Sequence, residues 1–348
     1  MNISYRLFSR IFLIKEKVVK KTSTLFSFIL ILFAFSSAAE ASCGSANCSL
    51  ITGSQSSLAG EGRFVVDLSF RYIPQDKKKR GSDSTNEVLV PKVDFENRDL
   101  ELDHHKEFRT INKLAQLDVS YGVTEKLTIS LNLPFFNDRL HEHIDRIELG
   151  DPGMFNNVDG TSGFGDITLL AKYSLWQTTK HQFIGGAGVK FASGEFKLKD
   201  SDGTINEPTL MPGTGSNDII VSGLYLYSLI PGRVQLFGSG SHRFTTENPL
   251  DYEFGDTTFL DAGVSYVLNK KVTLSGQINT RIARRDHFIN LRVPSTGGEF
   301  INLTPGVSLA ASQNLSFYSH VQIPIYQRVN EVNLVPRYGL LVGASYGF

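Results

Sequence analysis

From residue 63 to the end of the chain, apolar and polar side chains alternate in short segments, and a period of two marks β-strands. In the first segment Phe64, Val66, Leu68, Phe70 and Tyr72 share one face, while Arg63, Asp67, Ser69 and Arg71 share the other. A later one sets Val272, Leu274, Gly276 and Ile278 against Thr273, Ser275, Gln277, Asn279 and Arg281. Read this way, the pattern predicts strands at 63–73, 107–121, 126–137, 164–176, 182–193, 218–230, 233–245, 257–268, 271–283, 299–311, 314–325 and 335–348. Each is close to the length of about nine to eleven residues that a tilted strand needs to cross a bilayer.

The connections alternate as strictly as the side chains. Long ones at 74–106, 138–163, 194–217, 246–256, 284–298 and 326–334 are interleaved with turns such as Thr124-Glu125-Lys126, Pro231-Gly232, Asn269-Lys270 and Gln313-Asn314. Outer-membrane barrels carry long outside loops and short periplasmic turns, and an even number of strands returns both ends to one side. A soluble sandwich would share the alternation, with its apolar face turned inward. Aromatic placement separates the two. Tyr121, Tyr173, Tyr227, Tyr266 and Tyr346 fall on the apolar face near short turns or the C-terminus, and Phe70, Tyr72, Phe135, Phe191 and Phe244 fall there near long loops. Two aromatic belts around an aliphatic band are the mark of interfacial rings. The expected fold is therefore all-β, an up-and-down antiparallel transmembrane barrel of about 12 strands over residues 63–348, with both termini periplasmic and the protein in a Gram-negative-type outer membrane.

The first 41 residues read as a cleavable signal peptide. Arg6, Arg10, Lys15, Lys17, Lys20 and Lys21 precede the apolar stretch Phe26–Phe35, and Ala39-Glu40-Ala41 fits a small-x-small cleavage site. A retained anchor or a lipoprotein at Cys43 are the alternatives, the second opposed by Glu40 where a lipobox wants an aliphatic residue. The whole chain has 35 basic and 35 acidic residues; without the leader's six basic and two acidic residues, 29 face 33, a net charge of −4. That balance argues against nucleic acid as a partner. Segment 42–62 holds the only two cysteines, Cys43 and Cys48. In a secreted chain a small disulfide loop is the expectation, with metal or redox chemistry the minor alternative. At the other end Tyr338, Leu340, Val342, Ala344, Tyr346 and Phe348 share a face, and Tyr346 with Phe348 resembles the terminal signal that such barrels present to their assembly machinery.

Strands running from a long loop to a short turn share an inward Asp followed by an outward Tyr: Asp118 and Tyr121, Asp166 and Tyr173, Asp218 and Tyr227, Asp261 and Tyr266. Gly163-Phe-Gly-Asp166 leading to Lys172-Tyr-Ser-Leu175, then Lys190-Phe-Ala-Ser-Gly194, then Gly213-Thr-Gly-Ser-Asn-Asp218 resemble the motifs of an outer-membrane family assigned to transport in the phenol meta-cleavage pathway. The resemblance covers roughly residues 110–348 and departs at Ala192, where that family usually carries Pro. It implies a transport role.

A twelve-stranded barrel lies between eight strands, whose interior side chains nearly fill, and sixteen, which leave an open pore, so the lumen should be narrow. The residues expected to face it are Arg63, Arg71, Lys172, Lys190, Arg243, Arg281 and Arg337, opposite Asp67, Asp118, Asp166, Asp218 and Asp261. Two uses are open: the charges pair and stiffen the wall, or surplus arginines favour anions at a constriction. At the mouth, His104, His105, His141 and His143 lie beside carboxylates in the loops flanking the second and third strands. They are either ordinary polar loop or ligands for a divalent transition metal, and no other cofactor is expected. Lys77-Lys-Lys-Arg80 is a solvated run or a contact for lipopolysaccharide phosphates.

No catalytic residue is expected. The adjacent pair Ser241-His242 points to opposite faces of one strand, and Gly238-Ser-Gly-Ser-His242 does not make a nucleophile elbow. The expected function is a channel or transporter for small solutes, aromatic or anionic, through a narrow charged lumen. The alternatives are a plugged barrel that binds a ligand or metal without general conductance and, behind it, an outer-membrane enzyme.

Overall fold

A computed structural model describes residues 58–86, 89–145, 157–200 and 203–348. The leader and the Cys43 and Cys48 pair lie outside the described residues. No helix among the described residues is long and apolar enough to cross a membrane.

Twelve antiparallel strands close into a barrel: β1 (Phe64–Arg80), β2 (Asp99–Gly122), β3 (Leu127–Asp145), β4 (Thr168–Gln177), β5 (His181–Lys190), β6 (Asp218–Ile230), β7 (Val234–Phe244), β8 (Thr257–Val267), β9 (Val272–Ala283), β10 (Gly298–Ala310), β11 (Leu315–Val329) and β12 (Gly339–Gly347). Each pairs with its neighbours in sequence, and β1 closes the ring by pairing with both β2 and β12. Val66, for instance, stands opposite Val119 on one side and Tyr346 on the other. Closure pairs the backbone of every stave, which is what a sheet in hydrocarbon requires.

The connections 123–126, 178–180, 231–233, 268–271 and 311–314 lie at one end, called lower here, and all the long ones at the upper end. The outer surface follows the alternation. Phe70, Phe135, Phe191, Phe244, Tyr326 and Tyr338 are exposed near the upper end, and Tyr121, Tyr173, Phe183, Tyr225, Phe317 and Tyr346 near the lower. Leu68, Val221, Val264, Ile278, Leu303 and Val342 are exposed between them. The buried residues of the same strands are polar, among them Asp67, Ser69, Thr128, Ser130, Gln277, Asn279 and Thr304. The barrel is thus apolar outside and polar inside.

All twelve expected strands are present, but the upper ends are longer than the alternation indicates. β2 starts at Asp99 instead of 107 and β3 runs to Asp145 instead of 137, so the expected loops at 74–106 and 138–163 are largely strand. Residues 89–94 pair with β2, 157–163 with β3 and 332–336 with β1. Beyond the aromatic belt neither face of a strand meets lipid, so the period-two signal fades while the hydrogen-bonded ladder continues. Short strands Tyr252–Glu253, His287–Phe288 and Leu291–Arg292 form a separate small sheet over this region. Its core joins Tyr252, Phe288 and Val293 to Val93. Each such side chain contributes up to about 1.5–3 kcal/mol of burial, enough to order loops that would otherwise be free.

At the lower end the segment before β1 folds against the wall. Ala59 donates its N–H to Thr128 Oγ1 at 3.0 Å, and Gly62 to the Gly122 carbonyl at 2.8 Å.

Candidate functional site

The lumen holds two cavities that share Asn132, Ile220 and Ser241 in their walls. The upper one, of about 290 Å³, is lined by Arg71, Arg139, Lys190, Arg243 and Arg281 against the carboxylates Asp166 and Asp286. Leu114, Ile220 and Phe259 add apolar wall between the charges. The cations come from β1, β3, β5, β7 and β9, so positive charge lines most of the wall.

The roof of this cavity is a loop. Pro208, Met211 and Pro212 face it from above, while Glu207, Pro208, Thr209 and Leu210 form the floor of a smaller space of about 70 Å³ nearer the mouth. Leu210 and Met211 are buried although they belong to a connection between strands. The loop carbonyls are held by the wall: Arg139 donates to Thr209, Thr161 to Leu210, and Asn137 to Pro212 at 2.7 Å. A one-turn 3₁₀ helix, Pro208–Leu210, turns the chain here. The segment is a plug.

Three glycine-rich stretches meet where the plug leaves and rejoins the barrel. Lys190 Nζ lies 3.0 Å from Asp166 and 2.9 Å from Asp218, and both carboxylates are almost fully buried. Asp166 also accepts the N–H groups of Gly194 and Thr214 at 2.9 and 2.8 Å. Gly194 and Gly213 touch through their backbones: a Cβ on Gly194 would meet Gly213 Cα and Phe164 O at 2.8 Å. Only glycine permits that approach. Asp166, Lys190 with Gly194, and Gly213 with Asp218, three separate stretches of the sequence, thus form one knot that anchors both stems of the plug.

The lower cavity, of about 240 Å³, is different in kind. Asp67, Asp118 and Lys172 line it among Ser120, Ser130, Ser222, Ser239, Gly186 and Gly240. Asp67 and Asp118 stand directly opposite each other on β1 and β2. Tyr318 donates its hydroxyl to Asp67 at 2.6 Å, and the amides of Gln116 and Asn132 donate to Asp118, each at 2.7 Å.

With this geometry, comparison with known proteins is decisive. The model of the family described as "Putative MetA-pathway of phenol degradation" matches residues 107–329. The chain belongs to this family. No curated protein matches it. Among solved structures, an outer membrane channel from Pseudomonas putida F1 is 11% identical and superposes with a TM-score of 0.60, over 86% of this chain and 100% of the other. The toluene transporter TbuX of Ralstonia pickettii is 11% identical over 91% of this chain and 100% of that one, at a TM-score of 0.41 that adds nothing to the fold assignment. The fold is that of an outer-membrane channel.

In this member of the phenol MetA-pathway family the motifs read from the sequence are the knot. The departure at Ala192 has a local reason: its N–H donates to Asn217 Oδ1 at 3.0 Å, a bond proline would remove. Of the residues expected to face the lumen, Arg71, Asp166, Lys190, Arg243 and Arg281 line the upper cavity, and Asp67, Asp118 and Lys172 the lower. Asp218 is buried under Lys190, and Asp261 turns into the wall, where Ser239 and Asn279 donate to it. Two expectations are corrected. Arg63 is exposed at the lower rim, and Arg337 is exposed at the upper end in a 2.8 Å ion pair with Asp76. Both have the inward parity, but both lie beyond the end of a strand, where parity no longer directs a side chain. Arg139 and Asp286 line the cavity unforeseen. Arg139 continues the inward series Asn137, Arg139, His141 of β3, a signal hidden by the assumption that the strand stopped at 137.

Above the upper aromatic belt the histidines gather, though not as a set of four. His105, Glu107 and His141 bring ligand atoms within 4.8 Å of one another, all three buried. His143 stacks on His141 at 5.0 Å. His104 takes the opposite parity on β2, with Nε2 3.5 Å from Glu101 and Nδ1 3.3 Å from His105 Nδ1. Burial, and His143 next to it, pull His141 down to about 3, and burial pushes the Glu107 carboxyl up to about 7 against the smaller opposing effects of the Leu334 N–H and Lys78. Glu107 shares its face with His105 by parity, which is how the sequence could have named it.

Proposed function

We propose that the protein is a channel for small anionic solutes, aromatic carboxylates foremost, with the upper chamber as its selective element. The observation that carries this reading is the excess of positive charge there: five cationic side chains line the cavity, against Asp166 and Asp286 in its wall and Asp218 buried under Lys190. Fixed charges in a narrow, poorly solvated space attract counter-charge strongly, and the wall of Leu114, Ile220 and Phe259 suits a ring. The family's description, phenol degradation, fits an aromatic cargo.

On this reading the short turns and both termini are periplasmic, residues 1–41 are the leader that delivers the chain, and Cys43 and Cys48 close a disulfide loop. Tyr346 and Phe348 serve the assembly machinery, with Phe348 stacked on Phe64 at 5.6 Å across the β1–β12 seam. Lys77–Arg80, at the upper end of β1, contacts lipopolysaccharide. The chemistry is passage, without catalysis.

The test is uptake by liposomes carrying the refolded protein, comparing benzoate with benzylamine, which are alike in size and opposite in charge. Faster benzoate uptake is expected, and equal or reversed rates contradict charge selection. A second reading has its own support in the plug, whose carbonyls are bonded to Asn137, Arg139 and Thr161. It is a closed barrel that binds solute at its mouth, and saturable benzoate binding with no uptake of either compound would establish it.

A further inference from the structure

His105 and Glu107 are neighbours on one face of β2, and His141 projects beside them from β3. Each is at least nine-tenths buried. Glu107 Oε2 and His141 Nε2 have no hydrogen-bond partner. Unpartnered buried polar atoms are costly and rare, and each calls for an explanation. Two in one cluster share one.

The surroundings orient these atoms as ligands. His141 Nδ1 lies 2.8 Å from Thr110 Oγ1. With Nδ1–H donating to that hydroxyl, Nε2 keeps its lone pair and faces the cluster, the arrangement in which protein imidazoles hold metal ions. Glu107 accepts the Leu334 N–H, which fixes its carboxylate and leaves Oε2 directed inward. His105 Nε2 fails hydrogen-bond geometry but lies 3.1 Å from Glu207 Oε1. Glu207 belongs to the plug.

We propose that His105, Glu107 and His141 bind a divalent transition metal ion, Zn²⁺ or Cu²⁺, at the mouth of the barrel, with Glu207 of the plug as fourth ligand. Two imidazoles and two carboxylates suit a borderline cation and not Ca²⁺ or Mg²⁺, which take oxygen alone. Ligand atoms around one tetrahedral ion sit roughly 3.4 Å apart at ordinary bond lengths, so the observed spread within 4.8 Å closes with small rotations. The ion would tie the plug to β2 and β3, in addition to the Lys190 knot that holds its stems. This inference is independent of the channel reading.

The test is isothermal titration of Zn²⁺ into the full-length protein refolded in micelles, with heat-modifiable gel migration showing that each variant is folded. One Zn²⁺ per chain is expected. Affinity should fall by about a hundredfold or more in His141→Ala and in the near-isosteric Glu107→Gln, and stay within about threefold in His181→Ala, at the lower end of the barrel beside Tyr225. With Cu²⁺ in place of Zn²⁺, the electron paramagnetic resonance spectrum should show coupling to two imidazole nitrogens, reduced to one in His141→Ala. Absence of saturable binding by the folded wild type, unchanged affinity in both ligand variants, or an equal loss in His181→Ala would overturn the assignment.

Discussion

The upper chamber gathers Arg71, Arg139, Lys190, Arg243 and Arg281 beneath a loop bonded to the wall, whereas the lower one sets Asp67, Asp118 and Lys172 among serines and glycines, and strands alone line it. The same twelve staves make both. What differs is side-chain size and partnership. Small residues such as Gly186, Ser222 and Gly240 leave the lower space open by bulk alone. In the upper chamber long cations fill the section, and the loop is held there by a buried ion cluster. Space in this barrel is thus set by residue volume at one end and by fixed charge at the other.

The largest effect is expected from breaking the cluster. Lys190→Met leaves Asp166 and Asp218 buried without their lysine, with Arg243 3.8 Å from Asp218. Stripping one partner from a buried pair costs about 3–5 kcal/mol, so the urea midpoint of the folded band should fall clearly. An unchanged midpoint would show that the knot does not hold the structure.

Next comes the charge of the upper chamber. Arg243→Gln with Arg281→Gln removes two of its cations, each contributing about 1–2 kcal/mol to an anion passing at roughly 10 Å. The benzoate-to-benzylamine uptake ratio should drop severalfold or more, and an unaltered ratio would return these arginines to a purely structural role.

The smallest effect belongs to the lower chamber. Asp67→Asn with Asp118→Asn should raise the same ratio by no more than about threefold, because Tyr318, Gln116 and Asn132 already donate hydrogen bonds to these carboxylates. A change larger than that of the arginine pair would move the selective element downward.

Much of this was legible in the sequence, for one reason: lipid outside and water inside enforce alternation. β9, expected at 271–283, is found at Val272–Ala283, with Gln277, Asn279 and Arg281 inward as the parity dictates. Legibility ends where that contrast ends. The upper parts of β2 and β3 lost the signal, and with it went Arg139 and the role of Glu107. The plug, Asn206-Glu-Pro-Thr-Leu-Met-Pro-Gly213, has no period at all. Its inward course is decided by hydrogen bonds to Asn137, Arg139 and Thr161, which are contacts across the fold that no local pattern encodes. The glycine-aspartate motifs were visible as a resemblance, but that they converge on Lys190 is known only from the closed barrel.

The most direct test of the account is the reversal potential of the wild-type protein in a planar bilayer under a potassium chloride gradient. An anion-selective current is expected if the arginine-lined chamber governs passage, and a cation-selective current would contradict it.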